Sequence, residues 1–125
     1  MRTLAADNWE KTIQNANMPV FIMHYSPNCS HCKNLFPYFN QYANEFKGKI
    51  LFGQINIVDN MQVAKKYRIM GTPTFTFFCQ GKLISKQVGE LYPSLIKKLI
   101  EDGLKYGKEC AEKTTWIDHT INGYA

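Results

Sequence analysis

Residues Val20 to Tyr25 form a continuous apolar run broken only by His24. A run of this length without polar alternation is the pattern of a strand covered on both faces, so helices are expected on either side of a central sheet. Ser26-Pro27-Asn28 has turn chemistry and ends the run. Two cysteines, Cys29 and Cys32, follow at once, and a segment with helical spacing begins near Lys33. Thiols three positions apart at a strand-to-helix corner can close a small disulfide ring. They also lie near the unpaired N–H groups and positive dipole end of the helix, which favour a thiolate. Taken alone, the pair is compatible with redox chemistry or with metal binding.

The remaining elements are read from periodicity and punctuation. Asp7-x-x-Glu10 is read as a capping box, with Leu4, Trp9, Ile13 and Ala16 lining one side of a first helix that ends at Asn17-Met18-Pro19. After the cysteines, Leu35, Phe36, Phe39, Tyr42, Ala43 and Phe46 recur at helical spacing. Pro37 lies inside that helix and removes a backbone donor, so a kink is expected; Gly48 stops it. Ile50–Ile57 reads as a strand and Met61–Tyr67 as a short helix. Gly71-Thr72-Pro73 is a turn before the β-forming run Thr74–Cys79. Gln80-Gly81 is a hairpin signal leading into Lys82–Val88. Pro93 suits the first turn of a last helix with Leu95, Ile96, Leu99, Ile100 and Leu104 on its face, and Gly107 suits its C-cap.

The order α-β-α-β-α-β-β-α requires parallel pairing across the helical crossovers and antiparallel pairing in the final hairpin. The expected fold class is α/β, a mixed four-stranded sheet flanked by helices. The 125 residues suffice for one domain with a substantial core. Residues 1–107 are read as that domain. Residues 108–125 are read as a C-terminal extension docked on it through Trp116, Ile117, Thr120, Ile121 and Tyr124.

Composition narrows the function classes. The formal charge is +5, from 15 basic and 10 acidic residues. The basic residues are scattered or paired, as on solvated helix faces, and nucleic acid is not an expected partner. No stretch approaches the ~20 apolar residues of a membrane span. The first residues contain no apolar core of a signal peptide, so a cytoplasmic location is expected. In a reducing compartment two cysteines at this spacing read as redox or metal-binding rather than structural.

Strand, Cys29-Ser30-His31-Cys32, proline-bearing helix and the later Gly71-Thr72-Pro73-Thr74 together resemble the thioredoxin family over residues 4–106. Lys33 and Pro37 stand where the family has a lysine and its helix-kinking proline. Gly81 and Gly89 match its hairpin and post-strand glycines. The resemblance implies a thioredoxin fold and thiol–disulfide exchange, with Cys29 as nucleophile and Cys32 as resolving thiol. It implies a cis bond before Pro73, with Thr72, Pro73 and Asn28 beside bound substrate. Expected partners are protein disulfides and a thioredoxin reductase or other thiol reductant, with the protein acting as a monomer. Neither a metal nor a bound cofactor beyond the Cys29–Cys32 disulfide is implied.

Several positions depart from the family's usual pattern. His31 is common in members that oxidise or isomerise disulfides, whereas thioredoxins proper carry Gly-Pro between the cysteines. A histidine or a Ser30 hydroxyl beside the thiolate would stabilise the dithiol form and raise the reduction potential above about −270 mV, toward about −200 mV. Met23 occupies the position of a buried carboxylate, and Gln54 that of the lysine facing it. Asn28 replaces an aromatic. A disulfide oxidase or isomerase, and a non-catalytic binding module of the same fold, are the alternative readings. His24 is read as a hydrogen-bonded core histidine, Cys79 as a small buried hydrophobe, Cys110 as a bystander, and Phe36, Phe39, Phe46, Phe75, Phe77 and Phe78 as core.

Overall fold

The computed structural model describes residues 1–89 and 93–112, with side chains described through residue 105. In chain order the elements are β1 (Arg2–Leu4), α1 (Ala6–Asn15), β2 (Val20–Tyr25), α2 (Ser30–Glu45), β3 (Leu51–Asn56), α3 (Met61–Lys66), β4 (Thr74–Cys79), β5 (Lys82–Val88) and α4 (Pro93–Glu112). They build an α/β structure around one mixed sheet of order β1-β3-β2-β4-β5. β2 is central, parallel to β3 and antiparallel to β4, with Met23 opposite Gln54 and Phe75.

The sheet has five strands where the sequence suggested four. The addition is β1, which pairs parallel with β3 from Arg2↔Gly53 to Leu4↔Ile55. Leu4 therefore enters the core from a strand and not from α1. The cap of α1 also differs from the Asp7/Glu10 reading. Ala5 is the N-cap, and its amide donates to Asn8 Oδ1 at 2.9 Å. Asp7 falls instead in the first turn, where its charge complements the helix dipole.

Alternation along β2 sends its side chains into two cores. Phe21 and Met23 pack under α2 and α4 with Leu35, Phe39, Phe52, Phe75, Phe77, Ile96 and Ile100. Val20 and Ile22 pack on the other face with Leu4, Trp9, Ile13, Ile55, Val63 and Phe78. Phe39 stands edge-on to Phe52 at 5.2 Å between centroids, a favoured aromatic geometry. Phe36 is not core: it is 39% exposed. Leu35, Phe39, Tyr42, Ala43 and Phe46 already fill the face of α2 that meets the sheet, and Phe36 lies about 100° round from Leu35.

The hairpin forms as expected, with φ of +51° at Gln80 and +82° at Gly81. Both values suit a two-residue turn matched to strand twist. Gly107 does not end the last helix; α4 continues to Glu112. A single helical glycine costs only about 1 kcal/mol relative to alanine, which the rest of a long helix absorbs. The 107/108 boundary thus falls within α4, and Trp116, Ile117, Thr120, Ile121 and Tyr124 lie outside the described residues. Gly103 is buried where α4 crosses β4, and a Cβ there would run into the ring of Phe77. Cys79 is buried at the end of β4 as expected, but as a disulfide-bonded sulfur and not as a thiol.

Candidate active site

β2 ends at Tyr25, and the turn Ser26-Pro27-Asn28 reverses the chain into α2. The Cys29 amide donates to Ser26 O at 3.2 Å and closes that turn. Cys29 is the N-cap of α2, with extended backbone at φ −89° and ψ 106°. Its Sγ accepts the Cys32 amide at 3.1 Å, so sulfur takes the place that a serine or aspartate oxygen fills at other helix starts. Cys29 and Cys32 are joined by a disulfide with their Cα atoms 5.2 Å apart. On reduction, the same amide and the dipole end of α2 would favour negative charge on Cys29.

Both sulfur-bearing residues are mostly covered, Cys29 at 9% and Cys32 at 4% exposure. Ser30 and His31, in the first turn of α2, are exposed, as is Asn28 before it. Pro37 lies within α2. Met23 is fully covered and faces Gln54 across the β2–β3 ladder, so the residues that replace the family's ionised pair are direct neighbours. Beside them an open cleft of about 230 Å³ is lined by Met23, Tyr25, Ser26, Pro27, Cys32, Lys33, Phe36 and Gln54. Cys32, the deeper of the two cysteines, thus borders solvent-accessible space. Among the described residues no three His, Cys, Asp or Glu side chains gather as metal ligands.

A second segment completes the corner. The Thr72–Pro73 bond is cis, Thr72 is half-buried and Pro73 is buried. Thr74 Oγ1 donates to Gly71 O at 2.6 Å, and the Gly89 amide donates to Pro73 O at 2.9 Å. The link to the cysteine turn is a hydrogen bond of 3.1 Å between the hydroxyls of Ser26 and Thr72. The structure therefore brings Thr72 to the residue whose carbonyl holds Cys29. Ser26 was legible in the sequence only as a turn former, because its partner lies 46 positions away. Phe36 and Lys33, which line the cleft, were likewise not evident as site residues.

His24, one residue before the end of β2, belongs to the opposite face. It is fully buried, its Nε2 lies 2.8 Å from Thr76 Oγ1, and its ring stands 5.9 Å from Trp9. Its Nδ1 has no hydrogen-bond partner among the described residues. Burial, with a smaller contribution from the Lys86 charge, lowers its pKa from 6.5 to about 3. It is a neutral core histidine bonded through one nitrogen.

Comparison with known proteins agrees with this geometry. The thioredoxin family model matches residues 1–102. A protein disulfide-isomerase A6 homolog of Drosophila melanogaster is 35% identical over 78 residues, covering 62% of this chain and 18% of that protein. A thioredoxin of Haemophilus influenzae is 27% identical over 84 residues, covering 67% of this chain and 78% of its own. A thioredoxin of Chlorobaculum thiosulfatiphilum is 27% identical over 95 residues, covering 76% and 88%. The chain thus spans most of the two thioredoxins but under one fifth of the isomerase homolog.

Proposed function

The chain belongs to the thioredoxin family of thiol–disulfide oxidoreductases, and from that premise we propose that it reduces disulfides of protein substrates through Cys29 and Cys32. The observation that carries this reading is the position of Cys29 Sγ as N-cap acceptor of α2. In the dithiol form Cys29 attacks one sulfur of a substrate disulfide as thiolate. The substrate S–S bond breaks, its departing sulfur takes a proton, and a Cys29–substrate mixed disulfide remains. Cys32 then loses its proton, attacks Cys29 Sγ, and releases the second substrate thiol. Two electrons have passed to the substrate, and the Cys29–Cys32 disulfide is the oxidised product. A thioredoxin reductase or other thiol reductant restores the dithiol.

The remaining roles follow from position. The Thr72 backbone, held through its hydroxyl by Ser26, offers an edge on which an extended substrate can lie, with Asn28 on the approach. With Met23 in place of a carboxylate, the proton of Cys32 leaves to solvent in the cleft it borders. The electron pair is carried by the disulfide itself, without a bound cofactor or metal. The proposed setting is the cytoplasm, with the protein acting as a monomer.

Trapping tests the order of the two attacks. Cys32→Ser protein incubated with oxidised insulin is expected to accumulate a covalent adduct through Cys29 that dithiothreitol releases. The Cys29→Ser, Cys32→Ser double variant should form none. An adduct through another cysteine, or no adduct, would reject the assignment.

A second reading, a more oxidising member of the family that forms or isomerises disulfides, is favoured by His31 in the first turn of α2. The Drosophila relative, named as a protein disulfide-isomerase A6 homolog, points the same way. Equilibration with glutathione buffers is expected to place the potential above about −270 mV, toward about −200 mV. A value of about −270 mV or lower would remove this reading and leave the reductase.

A further inference from the structure

Cys79 is disulfide-bonded, and its partner is not Cys29 or Cys32, which bond to each other. The chain has four cysteines, and the fourth is Cys110. We propose that Cys79 and Cys110 form a second disulfide, a fixed staple between β4 and the end of α4 that stays closed while Cys29–Cys32 cycles.

The topology carries the two positions toward each other. β4 runs from Thr74 to Cys79, and β5 returns to Val88 beside Thr74. The chain therefore reaches α4 from the Thr74 end, and α4 runs back along β4 with Gly103 against Phe77. From that crossing Cys79 lies two residues further along the strand, about 7 Å. Cys110 lies seven residues further along the helix, about 10 Å in the same sense. Ile96, Ile100 and Gly103 form the buried stripe of α4. The side chain of Cys110 itself lies outside the described residues.

The location separates this pair from the catalytic one. Cys79 lies at the opposite end of the sheet from Cys29, since β2 and β4 are antiparallel and Val20 pairs with Phe78. It is 4% exposed within the core under α2 and α4. Exchange needs a thiolate to reach the sulfur, and that packing blocks the approach. The bond forms when both thiols lose their protons and pass two electrons to a low-molecular-weight disulfide such as oxidised glutathione. That oxidant is cleaved to two thiols as the Cys79–Cys110 bond closes.

The experiment uses the full-length wild-type protein equilibrated with oxidised glutathione. It is denatured without reductant, alkylated, digested and analysed by mass spectrometry. A peptide pair joined through Cys79 and Cys110, with neither residue labelled, is the expected result. Label on either residue, or Cys79 joined to any other cysteine or to a second chain, overturns the proposal. In a graded dithiothreitol series on the native protein, Cys29 and Cys32 should label first; prior or simultaneous labelling of Cys79 rejects the fixed staple. Cys79→Ala and Cys110→Ser should each lower the Tm of the oxidised protein, by roughly 10 °C for a loop of this length. The double variant should fall no further than the larger single effect, and additive losses would also overturn the pairing.

Discussion

Replacing Cys29 with serine is expected to lower the rate of insulin disulfide reduction by a factor on the order of 10³ or more. The hydroxyl is essentially un-ionised at neutral pH and cannot attack sulfur as a thiolate does. The substitution is informative because it isolates chemistry from folding. Cys29 is the N-cap of α2, and its sulfur accepts the Cys32 amide at 3.1 Å. Serine is among the favoured N-cap residues, so its oxygen can take over that hydrogen bond. The variant should therefore melt within a few degrees of the reduced wild-type protein while losing turnover. Residual turnover above one tenth of wild type, on the same order-of-magnitude scale, would reject Cys29 as the nucleophile. Lost turnover accompanied by a large fall in Tm would instead assign Cys29 a mainly structural role.

The second large effect is acid destabilisation through His24. The buried ring has a pKa of about 3 against 6.5 unperturbed, first from desolvation and then from Lys86. Between those values the unfolded chain binds a proton that the folded protein refuses. The contribution of this residue to stability is thus at its full value above about pH 6.5 and is lost progressively as pH falls toward 3. One proton of difference gives a slope of at most about 1.4 kcal/mol per pH unit. His24→Leu keeps a similar volume and removes the titration. Denaturant melts from pH 7 to pH 4 should show the wild type losing stability more steeply than the variant, by up to one proton. Parallel curves would show that His24 accepts its proton without opening the core. The carboxylates contribute equally to both curves and cancel in the comparison.

The parts of the molecule legible in the sequence are those written in local patterns. The unbroken run Val20–Tyr25 announces a strand buried on both faces, and the structure divides its side chains between two cores. Gln80-Gly81 announces its turn, and Cys29, Cys32 and Pro73 announce the family through their order and spacing. What escaped is non-local. A strand of three residues, two of them exposed, has no periodicity to read, and β1 exists because β3 offers it an edge. Phe36 looked like core because it stands three residues before Phe39, a spacing that puts two apolar side chains side by side on a helix, and only the docking angle of α2 decides which of them is covered. The Ser26–Thr72 hydrogen bond joins two turns that are each plausible alone. The bonded state of Cys79 depends on a sulfur distant in the chain, which its own strand does not encode.

The antiparallel pairing of β2 with β4 has a consequence for how the two halves of the site survive damage to the fold. Cys29 and Cys32 are three positions apart and can close their ring in any chain that contains them, folded or not. The Thr72–Pro73 edge meets the turn before them, at Ser26, only when β4 docks beside β2, a contact between segments about fifty residues apart in the chain. Partial unfolding should thus uncouple reactivity from discrimination. A loosened molecule would still exchange with small thiols yet would no longer select among protein substrates, and its promiscuity would report the loss of one strand pairing.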